Sequence, residues 1–352
     1  MRSTNPFRKI TRHENLPIFL VLLVIIVAVI FVEFFTVRSM NITTVAFIKP
    51  MNISNVLLQV SITGMLALST TFIMISGQID LSVGQMMCFL GTGMAFLMKT
   101  VGINEWGVVA IGLVVAILFQ LIMGLIISRT KLESFIISLG FLSIYRGFTY
   151  LITSGREITT EGRFTFLGRT YFDITDNFRI AMPVIIFIAL TLLVWFLLRY
   201  TKFGRRVYAV GGNENAAYLA GINVKNFRLL LYGINGAFIA IASMTQLSRL
   251  GVGSPLMGEG KEIEVIAAVV VGGVALVGGR GNAWGTFIGV LMLGIISNAL
   301  NILGVNPHWQ YVMRGLLIIL AVSLTYFSSL RASSANIQIK EVDNKTKNAS
   351  FK

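Results

Sequence analysis

The sequence predicts an all-α polytopic membrane protein of about ten transmembrane helices, and three observations predict it. Of 352 residues, 55% are hydrophobic and only 12% are charged, and the mean hydropathy is +0.80. Apolar runs near 20 residues, the length that crosses a hydrocarbon core, recur along the chain. The charged residues lie between these runs rather than within them, unlike the mixed surface of a soluble domain.

The runs fall at residues 17–35, 53–75, 81–98, 107–128, 134–152, 181–199, 229–247, 263–278, 284–303 and 310–327. The first follows a basic N-terminus as a signal peptide would. It is longer than a signal-peptide core and lacks a clear small-residue cleavage site, so it is read as a span. An even number of spans puts both termini on one side. With the N-terminus inside, eighteen lysines and arginines fall in internal connections and nine in external ones. By the positive-inside rule both termini are then cytoplasmic. The net charge of +14 therefore reads as orientation beside anionic membrane lipid, with no nucleic-acid partner expected. Residues 1–16 form a cytoplasmic segment and 17–330 a single transmembrane domain, while the polar tail 331–352 reads as disordered and cytoplasmic.

Two connections are long. The internal one, 201–228, is basic and carries a short helix signal: Asn213 caps, Glu214 sits in the first turn, and Gly221 stops the helix. It is either an orientation-setting loop or a docking element. The external one, 153–180, mixes charge with Phe164, Phe166, Tyr171, Phe172 and Phe178. Its aromatics fit either a soluble partner or the headgroup belt. Two Gly-rich breaks, 75–84 and 271–281, join spans two to three and eight to nine with too few polar residues for ordinary loops. Irregular backbone at membrane depth is tolerated where protein or a watery cavity covers it, and paired interrupted segments point to a transport path; close helix packing on small residues is the competing reading.

Enzymatic chemistry finds no constellation. The lone Cys88 and the separated His13 and His308 make no metal or redox set. The Gly260-Lys261 pair lacks the rest of a phosphate loop, with Pro255 in place of the first glycine and Glu262 where Ser or Thr is needed. The chain is not an enzyme on this reading and has no cofactor of its own, so ATP-driven work requires a partner that binds ATP. Ionisable residues in or beside spans are functional candidates by default: Glu33 at the external interface, Asp80 at the first break, Arg146 deeper in the fifth span, Glu262 and Glu264 at the start of the eighth, and Arg314. Ser82, Gln85, Asn298 and Asn301, with Ser69, Thr70, Thr71, Ser76, Gln78 and Ser297, either face a narrow polar path or bond between helices. Asp80, Ser82, Gln85, Arg146, Asn298 and Asn301 form the translocation-path set.

IDLSVG at 79–84, SLGFLSIYRG at 138–147, FGRRVYAVGGNENAAYLAGINV at 203–224 and the run 262–305 come in one order, and with them residues 15–327 resemble the permease subunits of bacterial ribose-type ABC importers, which carry pentoses and related sugars. The departure is Gln78, where that family more often has glycine. The resemblance implies a dimer with a second copy or a paralogue around a central path. It also implies a cytoplasmic ABC ATPase partner that binds the ATP, an external sugar-binding protein, a monosaccharide such as ribose, and a place in the bacterial inner membrane. It makes 201–228 the coupling loop, with Gly211, Gly212, Asn213, Glu214, Ala217 and Gly221 as ATPase contacts. An ion-coupled secondary carrier for a small polar solute, or a membrane scaffold or channel, are the competing classes.

Overall fold

The computed structural model describes residues 15–39 and 46–306, with a few isolated positions up to 319. Nearly all of the segment 1–16, the tail 331–352, Arg314 and all but a few positions of the span at 310–327 lie outside the described residues. Helices α1 (Leu16–Ser39), α2 (Pro50–Ile75), α3 (Val83–Phe96), α4 (Glu105–Arg129) and α5 (Ser134–Thr153) lead to α6 (Met182–Tyr200), α7 (Lys202–Gly212), α8 (Glu214–Leu219), α9 (Val224–Leu250), α10 (Lys261–Val271) and α11 (Ala283–Ile302). Among the described residues seven of these, α1, α2, α4, α5, α6, α9 and α11, are long and apolar enough to cross a membrane.

The spans at 81–98 and 263–278 are the difference from the sequence expectation. Helix α3 has 14 residues before it widens into a π-helical turn over Leu97–Val101, and α10 has 11. The apolar run goes on after α10 but the helix does not, because Gly273 turns left-handed (φ 84°) and the amides of Gly273 and Val274 fold back onto the carbonyls of Val270 and Val269. Helix α3 is buried over most of its length and α10 over its second half, which places the Gly272 end of α10 against the bundle.

Helix α2 is the axis of the bundle. It is buried over most of its length against α6, α9, α10 and α11, whereas α1 lies at the margin with one flank on α11. Most α2 hydroxyls bond back to carbonyls three or four residues earlier, and Thr71 meets Thr286 of α11 at 2.7 Å. Close approach uses glycine: a Cβ on Gly236 would strike the Ala116 carbonyl of α4, and one on Gly289 would strike the Ala268 carbonyl of α10. Glu33 is buried because its carboxylate accepts the amides of Ala46 (2.6 Å) and Phe47 (3.1 Å).

The 153–180 connection has structure of its own. Strands β2 (Tyr171–Thr175) and β3 (Phe178–Ala181) form a hairpin, and β1 (Ile158–Thr159) pairs antiparallel with β4 (Val252–Gly253), just past α9. Phe164 is buried, Phe166 packs on Trp106, and Arg169 donates to the carbonyls of Arg249 and Leu250 at the end of α9. Tyr171, Phe172 and Ile174 remain exposed.

Candidate functional site: the coupling segment and the two breaks

The 201–228 segment folds as two helices. Thr201 caps α7 by accepting the Gly204 amide (3.3 Å), and Phe203, Val207 and Val210 turn one face of α7 onto the bundle, with Phe203 against Phe72 and Phe227. Asn213 then caps α8 through the Ala216 amide at 2.9 Å. Gly221, at φ 84°, ends it as the amides of Gly221 and Ile222 return to the carbonyls of Tyr218 and Ala217. Six residues do not hold a helix alone. Ala217 is buried beneath α8, and Glu214 receives Arg228 from the first turns of α9 at 2.6 Å. The outer side of α8 carries apolar groups: Tyr218 is 69% exposed and Leu219 84%.

The end of α7 is clasped by both breaks. A Cβ on Gly211 would fall on the Ile75 carbonyl and within 2.8 Å of the Gly279 nitrogen. A Cβ on Gly278 would come within 2.8 Å of Gly77, and one on Gly279 within 2.9 Å of Gly212. The Gly279 amide donates to the Ile75 carbonyl at 2.8 Å, and the Tyr208 hydroxyl donates to the Gly281 carbonyl at 2.7 Å. Three backbone segments meet here at distances that exclude side chains. Gly77, Gly278 and Gly279 also hold positive φ angles, which glycine adopts at no steric cost.

Beyond the clasp, the first break is pinned by Asp80. Its fully buried carboxylate accepts the Ser82 amide (2.8 Å) and hydroxyl (2.6 Å), Gln120 of α4 (3.2 Å) and Asn235 of α9 (2.7 Å). The start of α3 then meets the loop before α10: a Cβ on Gly84 would strike the Gly258 carbonyl and the Glu262 carboxylate, and the Gly258 amide points at the Cys88 sulfur, 3.0 Å away. Gln85 is buried with its Oε1 unpartnered among the described residues. Glu264 and Lys261 neutralise each other at 3.0 Å, and both bond Thr63 of α2.

Arg146 lies roughly 18 Å along α5 at 1.5 Å per residue. Its side chain is 51% exposed and its only ionic partner among the described residues is Glu259 at 3.8 Å. A half-exposed guanidinium that far along a membrane-length helix is too costly against lipid, so this face of the chain meets water or protein. Asn298 of α11 exchanges two amide hydrogen bonds of 2.9 Å with Asn52 of α2, while Asn301 is exposed near the end of α11.

A family described as branched-chain amino acid transport system / permease component matches residues 52–322. The chain belongs to this permease family. Ribose import permease protein RbsC of Bacillus subtilis (strain 168) is 38% identical over 294 residues, 83% of this chain and 89% of the relative. Xylose transport system permease protein XylH of Haemophilus influenzae is 32% identical over 376 aligned positions, 88% of this chain and 96% of its own. The probable ABC transporter permease protein YphD of Escherichia coli (strain K12) is 34% identical over 323, or 89% and 91%. No solved structure matches the chain.

In this permease, then, the site residues read from sequence fall into three groups. Gly212, Asn213, Glu214 and Gly221 are on the surface of the 201–228 segment, whereas Gly211 and Ala217 support it from within. Asp80, Ser82 and Asn298 are engaged in buried networks that join helices. Gln85 and Arg146 keep polar atoms uncommitted or exposed. The sequence reading missed Tyr218 and Leu219, whose exposure is the signal that only the fold supplies, and Gln120 and Asn235, which sit singly in apolar helices until the bundle brings them to Asp80. It also missed α7, although Thr201 followed by Phe203, Val207 and Val210 has capping and spacing that mark a helix.

Proposed function

We propose that this chain is the membrane-spanning subunit of an ATP-binding-cassette importer for a monosaccharide, ribose or a related sugar, in a bacterial inner membrane. Ten spans with both termini cytoplasmic, a permease domain over 17–330 and a polar tail over 331–352 complete the arrangement. The subunit is a translocation component and not an enzyme; ATP is bound and hydrolysed by a separate cytoplasmic ATPase. Sugar arrives from an external binding protein, and two permease copies, identical or paralogous, enclose the path. Arg146, Glu259 and Gln85 face that path, which accounts for a half-exposed guanidinium on a membrane-length helix.

The observation that carries the reading is the glycine clasp. A short helix, α8, exposing Tyr218 and Leu219, follows one residue after the end of α7, whose Gly211 and Gly212 are in direct backbone contact with both breaks in the membrane domain. An ATPase seated on α8 moves the Gly211–Gly212 backbone, and that backbone cannot move without the chain at 75–77 and 277–279. The coupling residues Asn213, Glu214 and Gly221 shape α8, and Tyr218 and Leu219 are its anchors in the ATPase groove.

Reconstitution in liposomes with a cognate ATPase and binding protein tests the function. Ribose uptake that requires ATP and both partners is expected. Uptake driven by an ion gradient with no ATPase present would instead make the chain a secondary carrier. Leu219→Asp and Glu214→Arg are expected to insert normally and to lose both ATPase copurification and uptake, and normal copurification with normal uptake would remove the coupling role from α8.

A further inference from the structure

A cavity of about 980 Å³ opens where three membrane-length helices end: the N-termini of α1 and α11 and the C-terminus of α6. Three guanidinium groups line it, Arg199 from the last turn of α6, Arg205 from α7 and Arg280 from the second break, with Trp195, Trp284 and Asn282 completing the polar and aromatic wall. Among the described residues no acidic side chain lines it and none of the three arginines forms an ion pair. Three like charges are thus gathered around one cavity with no counter-charge among the described residues. Asn282 spends its side-chain oxygen on the Gly285 amide of α11 (2.8 Å) and its side-chain nitrogen on Asn15 (2.9 Å), which fixes the α11 terminus against α1. The N-terminal ends of α1 and α11 add partial positive charge, while Arg199 offsets the opposite end of α6.

We propose that this cavity binds a phosphate-bearing anion. Guanidinium forks match phosphate oxygens two at a time, and the volume is at the upper end of what small-ligand sites enclose. Two sources carry that chemistry, the phosphodiester headgroup of an anionic lipid and soluble phosphate. The first is favoured by position, since the cavity sits at the ends of helices that span the bilayer, where tryptophans collect at the headgroup level and basic pockets between helices hold anionic headgroups. The occupant would also bear on coupling. Gly279, Arg280 and Gly281 form part of the wall, Gly279 packs on Gly212, and Gly281 is held by Tyr208. An anion drawn to Arg280 and Arg205 together braces the second break against α7. The inference rests on this chain's own arginines and does not depend on a sugar being the cargo.

The experiment uses the full chain purified in neutral detergent and titrated separately with dioleoyl phosphatidylglycerol, dioleoyl phosphatidylcholine and inorganic phosphate, with bound lipid read by native mass spectrometry and protection by thermal unfolding. Saturable binding and protection by phosphatidylglycerol but not phosphatidylcholine is expected. At about five-fold per arginine near a headgroup, Arg199→Gln/Arg205→Gln/Arg280→Gln weakens it on the order of 100-fold. Lys202→Gln/Arg206→Gln/Lys225→Gln removes the same charge from residues outside the cavity and retains the binding. Protection by inorganic phosphate, with phosphatidylglycerol no better than phosphatidylcholine, assigns the site to a soluble anion. The proposal is overturned if no probe binds saturably, if phosphatidylcholine binds as tightly and phosphate does not protect, or if both triple variants lose affinity alike. Should the first triple variant fail to fold, Arg280→Gln alone decides: a loss of about five-fold supports the site, and unchanged affinity overturns it.

Discussion

Two adjacent glycines at the end of α7 make a matched pair for testing the clasp. A methyl group on Gly211 meets the Ile75 carbonyl and the Gly279 nitrogen, whereas a methyl on Gly212 meets nothing within 4 Å. The neighbours of Gly211 are backbone atoms and cannot rotate aside. Overpacking therefore costs about 1–3 kcal/mol, and parting the Gly279 amide from the Ile75 carbonyl adds about 1 kcal/mol or more. Alanine in place of helical glycine returns up to about 1 kcal/mol at either position. The two variants should thus differ by roughly 2–4 kcal/mol, with Gly212→Ala neutral or slightly stabilised. Thermal unfolding of the detergent-solubilised proteins measures the stability difference. ATP hydrolysis and sugar uptake by the reconstituted complex show whether Gly211→Ala, where it folds, hydrolyses ATP without matching transport. Equal melting temperatures with equal transport ratios for both variants would refute the idea that backbone contact at Gly211 holds the breaks to the coupling segment.

Asp80→Ala strips the acceptor from Ser82, Gln120 and Asn235 in a fully buried site and should cost about 3–5 kcal/mol, seen as a collapse in folded yield by size-exclusion chromatography; Asp80→Asn, which keeps one acceptor oxygen, should retain part of it. The reciprocal amide pair of Asn52 and Asn298 should show a coupling energy of about 0.5–2 kcal/mol in a double-mutant cycle to alanine. Arg146→Gln breaks a half-exposed pair at 3.8 Å, so it should change stability by less than about 1 kcal/mol while lowering uptake; an unfolding midpoint that falls with uptake unaltered would make the pair structural.

Much of the fold could be read from the chain because apolar length is a direct consequence of the bilayer. The seven membrane-length helices, α1, α2, α4, α5, α6, α9 and α11, begin and end within about five residues of the apolar runs. The apolar run at 263–278 continues past the glycine stop that ends α10 at Val271, so hydropathy alone overstates the length of α10, whereas α3 stays helical through its π-helical turn to Val101. The short helix α8 was legible where its end signals are local, at Asn213, Glu214 and Gly221. The clasp was not: Gly77, Gly211 and Gly278 are far apart in sequence, and each taken singly reads as ordinary helix packing or a turn. The same holds for Asp80, whose partners Gln120 and Asn235 lie on two other helices. In the external connection, alternation over Tyr171–Thr175 is obscured by Asp173 and by the irregular register between Asp173 and Thr175, which hides the hairpin.

Helix α9 runs unbroken for 27 residues, about 40 Å at 1.5 Å per residue. Near its start Arg228 holds α8, in its middle Asn235 holds the first break, and just past its end β4 holds the external connection through β1. A rigid rod fastened at three heights has few independent ways to move. Tilting it would displace α8 at one end and the β1–β4 pairing at the other in opposite senses about the Asp80 contact, so the two ends of the bundle would move together without any signal having to pass from side chain to side chain.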